Sequence, residues 1–137
     1  MPLIHTVDIF MDLAQFTYSR PPEPEFSVET YVYILKPSKD WRVIGIGECE
    51  GIQPEAVKIH LFNNDEPLPS GVDKYQLLQA FFAYCVGKCF IHHILPVFRP
   101  KIVLHGCEKF STVLNGYERG VFYNAAVYSG ASSVEID

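Results

Sequence analysis

The sequence is short of charge. Asp, Glu, Lys and Arg make up only 20% of its 137 residues, against roughly a quarter in an ordinary soluble chain. The 11 Lys and Arg are scattered, and the net charge is −5. These features exclude the basic footprint of a nucleic-acid binder and a polybasic membrane-surface segment. The opening "MPLIHTVDIFMDLAQF" has no basic region and no small-residue cleavage site, and it carries Asp8 and Asp12. It does not read as a signal peptide. The longest apolar stretch, about 77–98, is interrupted by Gln79, Lys88, His92 and His93, so a membrane span is not expected. Cysteine is sparse: Cys49, Cys85, Cys89 and Cys107 match no disulfide framework. The chain is expected to work in a reducing cytoplasm, with its thiols free. Repeats, phosphate-cradling glycine loops, nucleophile elbows and dinucleotide or kinase signatures are all missing.

What the chain has in quantity is apolar and aromatic residues, 48% and 14%. That is enough for a core without metal or disulfides. The expected organisation is one α+β domain over residues 1–137, with a polar, frayed tail at about 129–137. Residues 3–18 suit either period. Val7, Phe10, Met11, Ala14 and Tyr18 fit a helical stripe, with Thr6 or Asp8 as a cap. "RPPEPEF" breaks any helix. "ETYVYILK", "WRVIGIGECE" and "AVKIHLF", separated by the turns "PSKD" and "GIQPE", predict a three-stranded antiparallel meander at about 29–63. Gly45 and Gly47 alternate on one face of its middle strand, so a ring or a helix should lie over them.

A long central helix is expected at about 72–91, with Ser70 as a possible cap and Asp73 in the first turn. It is apolar on nearly its whole circumference. "KIVLHG" then reads as a buried strand. In "FSTVLNGYERGVF" Asn-Gly signals a hairpin at about 110–123, while Tyr117, Val121, Ala125 and Tyr128 fit a helix face. The order of meander, helix and strand is loosely similar to the ribonuclease-H-like fold. A nuclease of that kind needs a carboxylate on its first strand. "YVYILK" has none, and "KIVLHG" ends without Asp.

Three constellations carry possible chemistry. Cys85, Cys89 and His93 share a helical face, with His105 and Cys107 on or just past the next strand. These are zinc-ligand types, but they lack the tight-turn spacing of structural sites and sit on the most apolar face of the chain. They read as core, and no metal or cofactor is expected. Cys107 would sit at the positive end of a helix if Glu108 opens one, with His105 close by. Glu48 and Glu50 alternate onto one strand face, with His60 as a candidate neighbour. The preferred function is a small protein-binding module or oligomeric subunit without catalytic activity, most simply a homodimer. "QFTYS" and "VFYNAAVY" are its candidate contact segments. The rival is a small hydrolase or metal-dependent enzyme using His105, Cys107, Glu48 and Glu50.

Overall fold

The computed structural model describes residues 6–36, 39–90 and 99–137. The chain is α+β, with its described strands in two sheets and two α-helices. The larger sheet begins at the N-terminal segment, where the helical stripe proves wrong. Strand β1 (Thr6–Met11) is followed after a short turn by β2 (Gln15–Ser19), and then by β3 (Phe26–Glu29). Period two wins over 3.6 here. Val7, Ile9 and Met11 are buried on one face, while Phe10, placed on the stripe by the helical reading, is exposed. No Gly or Asn marks the turn at 12–14, which is why the hairpin is hard to see in sequence.

Strand β7 (Lys101–His105) lies parallel to β1, and β8 (Ser133–Ile136) parallel to β7, giving the order β3-β2-β1-β7-β8. The expected frayed tail is therefore a paired strand. Its Val134 and Ile136 are half-buried against the core. A parallel neighbour needs a crossover of a dozen or more residues, and the segment between β7 and β8 provides it.

The second sheet holds the three strands expected at 29–63: β4 (Tyr31–Leu35), β5 (Arg42–Ile46) and β6 (Val57–His60), all antiparallel. The central strand is β4, not β5, since the order is β5-β4-β6. Burial explains the choice. Val32, Tyr33 and Ile34 are all buried, whereas Arg42, Val43 and Ile44 are exposed. Gly45 is covered as expected, since a Cβ there would lie 3.1 Å from Cys49 Sγ and 3.2 Å from the Tyr33 ring. Over Gly47, however, lies Val28 of β3, 2.7 Å from where a Cβ would stand, and neither a ring nor a helix.

Helix α1 (Lys74–Lys88) is capped by Asp73, whose carboxylate accepts the Tyr75 N–H at 2.9 Å. Ser70 instead offers its carbonyl to Trp41 Nε1. Leu77, Leu78, Phe81, Phe82, Cys85 and Val86 form its buried face. Tyr75 and Tyr84 stand half exposed, so the helix is not covered all round. Of the hairpin and the helix that the sequence offered here, the helix is formed: α2 (Glu118–Tyr128), which leaves no hairpin at 110–123. The Asn-Gly pair does take positive φ at Asn115 and Gly116, but it ends a helical turn. The Gly116 N–H reaches back to the Ser111 carbonyl at 2.9 Å, the six-to-one bond that closes a helix C-terminus. Both helices pack on one face of the larger sheet. The aromatic cluster between them has Phe16 against Phe62, Phe81, Phe82, Phe110 and Phe122. Among the described residues no helix is long and apolar enough to cross a membrane.

Candidate functional site

The central strands β1 and β7 run parallel and end at the same edge of the sheet. In open sheets with parallel strands, ligands bind outside the carboxyl ends. At this edge β1 leads into an exposed turn, Asp12-Leu13-Ala14, which is pinned from below by buried Thr30. The Thr30 Oγ1 donates to the Leu13 carbonyl at 2.7 Å, and its N–H donates to the Ala14 carbonyl at 3.1 Å. The Asp12 carboxylate accepts the Leu13 N–H at 2.7 Å, holding the turn open to solvent.

Alongside, β7 exits through Gly106 at φ 89°, where a Cβ would stand 2.7 Å from the Met11 carbonyl oxygen. Only glycine allows the two strand ends to lie this close. A short 3-10 helix (Cys107–Phe110) follows. It brings the Lys109 ammonium to 3.9 Å from the Asp12 carboxylate. The edge thus presents an exposed turn, one carboxylate and one cation, converging from two adjacent strands.

The residues singled out from the sequence are distributed differently. His105 lies on the opposite face of the sheet from the core, stacked on Phe10 with ring centroids 4.5 Å apart. Its Nε2 lies 2.9 Å from an Asp8 carboxylate oxygen and its Nδ1 2.9 Å from one of Asp137, so both nitrogens donate when the ring is protonated. The first strand therefore does carry a carboxylate, Asp8, because the first strand is β1 and not "YVYILK". Burial alone would lower the His105 pKa, but the two carboxylate hydrogen bonds and their charges outweigh it and raise the pKa. A raised histidine stabilises the fold fully below the unfolded value near 6.5, and that contribution is lost as pH rises through the folded value. The melting temperature of wild type should thus exceed that of His105→Gln by several degrees at pH 5.5. The gap should shrink at pH 9, and an unchanging gap would show that the clamp carries no proton linkage.

Cys107 opens the 3-10 helix but is buried, and burial raises its pKa, with Glu118 adding to the rise. It is not a poised thiolate. Glu48 and Glu50 belong to the loop after β5, beside the other sheet, and not with His105. Glu48 pairs with Lys58 at 3.3 Å, and its N–H donates to Glu29 at 2.8 Å. His60 pairs instead with Glu66 at 2.8 Å. Cys85 and Cys89 are buried as core. Desolvation pushes the first to about 12, against the pull of a Tyr18 hydrogen bond, and the second to about 11. His93 lies outside the described residues. Among those described, no group of three or more His, Cys, Asp or Glu is arranged to hold a metal ion.

Sequence reasoning missed Asp12, Gly106 and Lys109 as a group. The available signal was the alternation of Val7, Ile9 and Met11, then Phe16 and Tyr18, around a polar gap.

The fold is shared with known structures. MreB 5 of Spiroplasma citri, in a crystal structure bound to AMPPNP, superposes with a TM-score of 0.61 at 12% identity, over 100% of this chain and 39% of that one. A non-polymerising mutant of MamK, also bound to AMPPNP, gives a TM-score of 0.69 at 8% identity, over 99% of this chain and 41% of that one. The chain thus spans about two fifths of the length of each. No protein-family model and no curated protein matches the sequence. At these identities the likeness defines the fold. The chain has the architecture of a segment of MreB 5 and of MamK.

This corrects the functional expectation. A whole-chain match to part of two nucleotide-bound proteins overturns the reading as a small binding module without catalytic activity. The hydrolase built on His105, Cys107, Glu48 and Glu50 falls with it, because those residues do not converge. Of the two candidate contact segments, "QFTYS" is strand β2, with Phe16 and Tyr18 fully buried.

Proposed function

We propose that this chain contributes one wall of an adenine-nucleotide site, with the edge where β1 and β7 end facing the phosphates. The observation that carries the reading is the superposition of the whole chain on two structures that hold AMPPNP. The residues fit the ligand in kind. Lys109 is an exposed cation suited to a phosphate oxygen, the turn at 12–14 offers backbone at the surface, and Gly106 keeps the edge free of side-chain bulk. Asp12 orients Lys109. A charge-assisted contact of this sort contributes about 1.5–3 kcal/mol. Titration of the purified chain with AMPPNP should therefore give saturable binding that Lys109→Ala weakens about tenfold or more. No saturable binding up to millimolar ligand would overturn the proposal.

Self-association is proposed on this chain's own exposed apolar residues. We propose a two-fold dimer through the outer face of α2. Tyr123, Val127 and Tyr128 stand exposed there, with Tyr117 beside them at the helix start. Two-fold pairing is the commonest way to cover such a patch. Light scattering on wild type should give twice 15.6 kDa, falling to the single mass in Tyr128→Asp, and a single mass for wild type overturns the dimer.

A further inference from the structure

Two hollows, of about 280 and 390 Å³, lie between strand β5 and helix α1 and meet at Val43. One wall is Trp41 and the consecutive run Val43, Ile44, Gly45 and Ile46; the other is Asp73, Gln76, Leu77, Ala80 and Tyr84. Side chains of a strand alternate between faces, and an irregular register lets consecutive residues of β5 turn toward one cleft. The cleft here lies beside the strand's outer edge, with Ile34 of β4 at its floor. Among the described residues β5 pairs with β4 alone, which leaves its outer edge without a neighbouring strand. The register also skips Ile44, since Tyr33 faces Gly45 and Ile34 faces Val43. The helical wall has the spacing of a single face.

We propose that this cleft receives an extended peptide segment of a partner protein, added to β5 as a further strand. An unpaired strand edge is a template for another chain, and main-chain pairing beside a helix is a recurring mode of peptide recognition. From Asp73 to Tyr84 the helix rises about 16 Å, at about 1.5 Å per residue. This matches about five extended residues at about 3.3 Å each. Val43, Ile46, Leu77, Ala80 and the Tyr84 ring select β-branched side chains at alternate positions. The charged residues lining the cleft are Asp40 and Asp73, both at the α1 N-terminal end; Arg42 lines neither hollow. The segment is therefore basic at the end that meets them.

The probe is a fluorescein-labelled peptide, Lys-Val-Thr-Val-Thr-Val-Lys, read by anisotropy against the full chain. Saturable binding is expected, at least tenfold weaker for Ala80→Arg, which fills the cleft. Tyr84→Glu, at a half-exposed position, is the second variant, and both are checked for native circular dichroism. Alternate N-methylation of the peptide should abolish binding. Half-buried Cys49 lines the cleft, so saturating peptide should slow its alkylation by iodoacetamide at least threefold. Absence of saturable binding, or equal binding of the N-methylated peptide, overturns the proposal. So does light scattering that gives twice 15.6 kDa for wild type and the single mass for Ala80→Arg, since a second copy would then fill the cleft. A doubled mass that persists in Ala80→Arg but is lost in Tyr128→Asp assigns the dimer to α2 and, with saturable peptide binding, leaves the cleft to the partner.

Discussion

Phe16→Ala should lower the melting temperature by roughly 10–15 °C, the size expected when about 3–5 kcal/mol is lost from a domain of this length. Phe16 is fully buried on β2, and its ring meets five others. Four of these contacts are edge-to-face, with Phe81, Phe82, Phe110 and Phe122. Truncation removes the transfer energy of the ring and leaves a void. The neighbours come from α1, the 3-10 helix and α2, which cannot all move inward together. The edge-to-face pairs add a loss beyond area alone, about 0.5–1.5 kcal/mol each at most. Since total stability is about 5–15 kcal/mol, much of it rests on this ring. Phe62→Ala is the comparison, because Phe62 is only partly buried and joins the cluster from outside. Thermal melts in which Phe16→Ala cost no more than Phe62→Ala would refute the account.

Gly106→Ala should cost about 2–4 kcal/mol, unusual for the gain of one methyl. Two effects act together. The backbone at φ 89° lies where an L side chain is strained by about 1–2 kcal/mol. The new Cβ would also stand 2.7 Å from the Met11 carbonyl oxygen, a backbone atom with no flexible end to give way. Relief requires β7's exit to move away from β1's, shifting Lys109 relative to Asp12. The variant should therefore lose AMPPNP affinity as well as stability. Gly120→Ala provides the control, since a Cβ there meets nothing within 4 Å and alanine favours a helix. Equal stability of the two variants would show that the strand ends do not need the close approach.

The parts of the fold legible in the sequence were those decided within about ten residues. β4, β5 and β6 were visible because each alternates and each is bounded by turn residues. α1 was visible as a long uninterrupted run, although its cap is Asp73 and not Ser70. Gly45 announced the covering ring. The hairpin of β1 and β2 was not legible, because Asp12-Leu13-Ala14 carries no turn residue beyond Asp and Phe10 mimicked a helical stripe. Asn115-Gly116 misled for the opposite reason: positive φ serves a helix end as well as a hairpin, and only the returning bond to Ser111 distinguishes them.

The sequence by itself determined the α+β class, the buried identity of Cys85 and Cys89, and the lack of a basic surface, since composition and local periodicity carry these. Tertiary structure alone decided that β1 lies against β7, some ninety residues later, and that "SSVEID" becomes an inner strand's neighbour and not a tail. Parallel pairing has no local signal, because its hydrogen bonds and buried side chains come from a distant segment. The same pairing brings Asp12 to Gly106 and Lys109, and separates His105 from Glu48 and Glu50. The candidate site was therefore invisible along the chain: it exists only where two strand ends, remote in sequence, arrive at one edge.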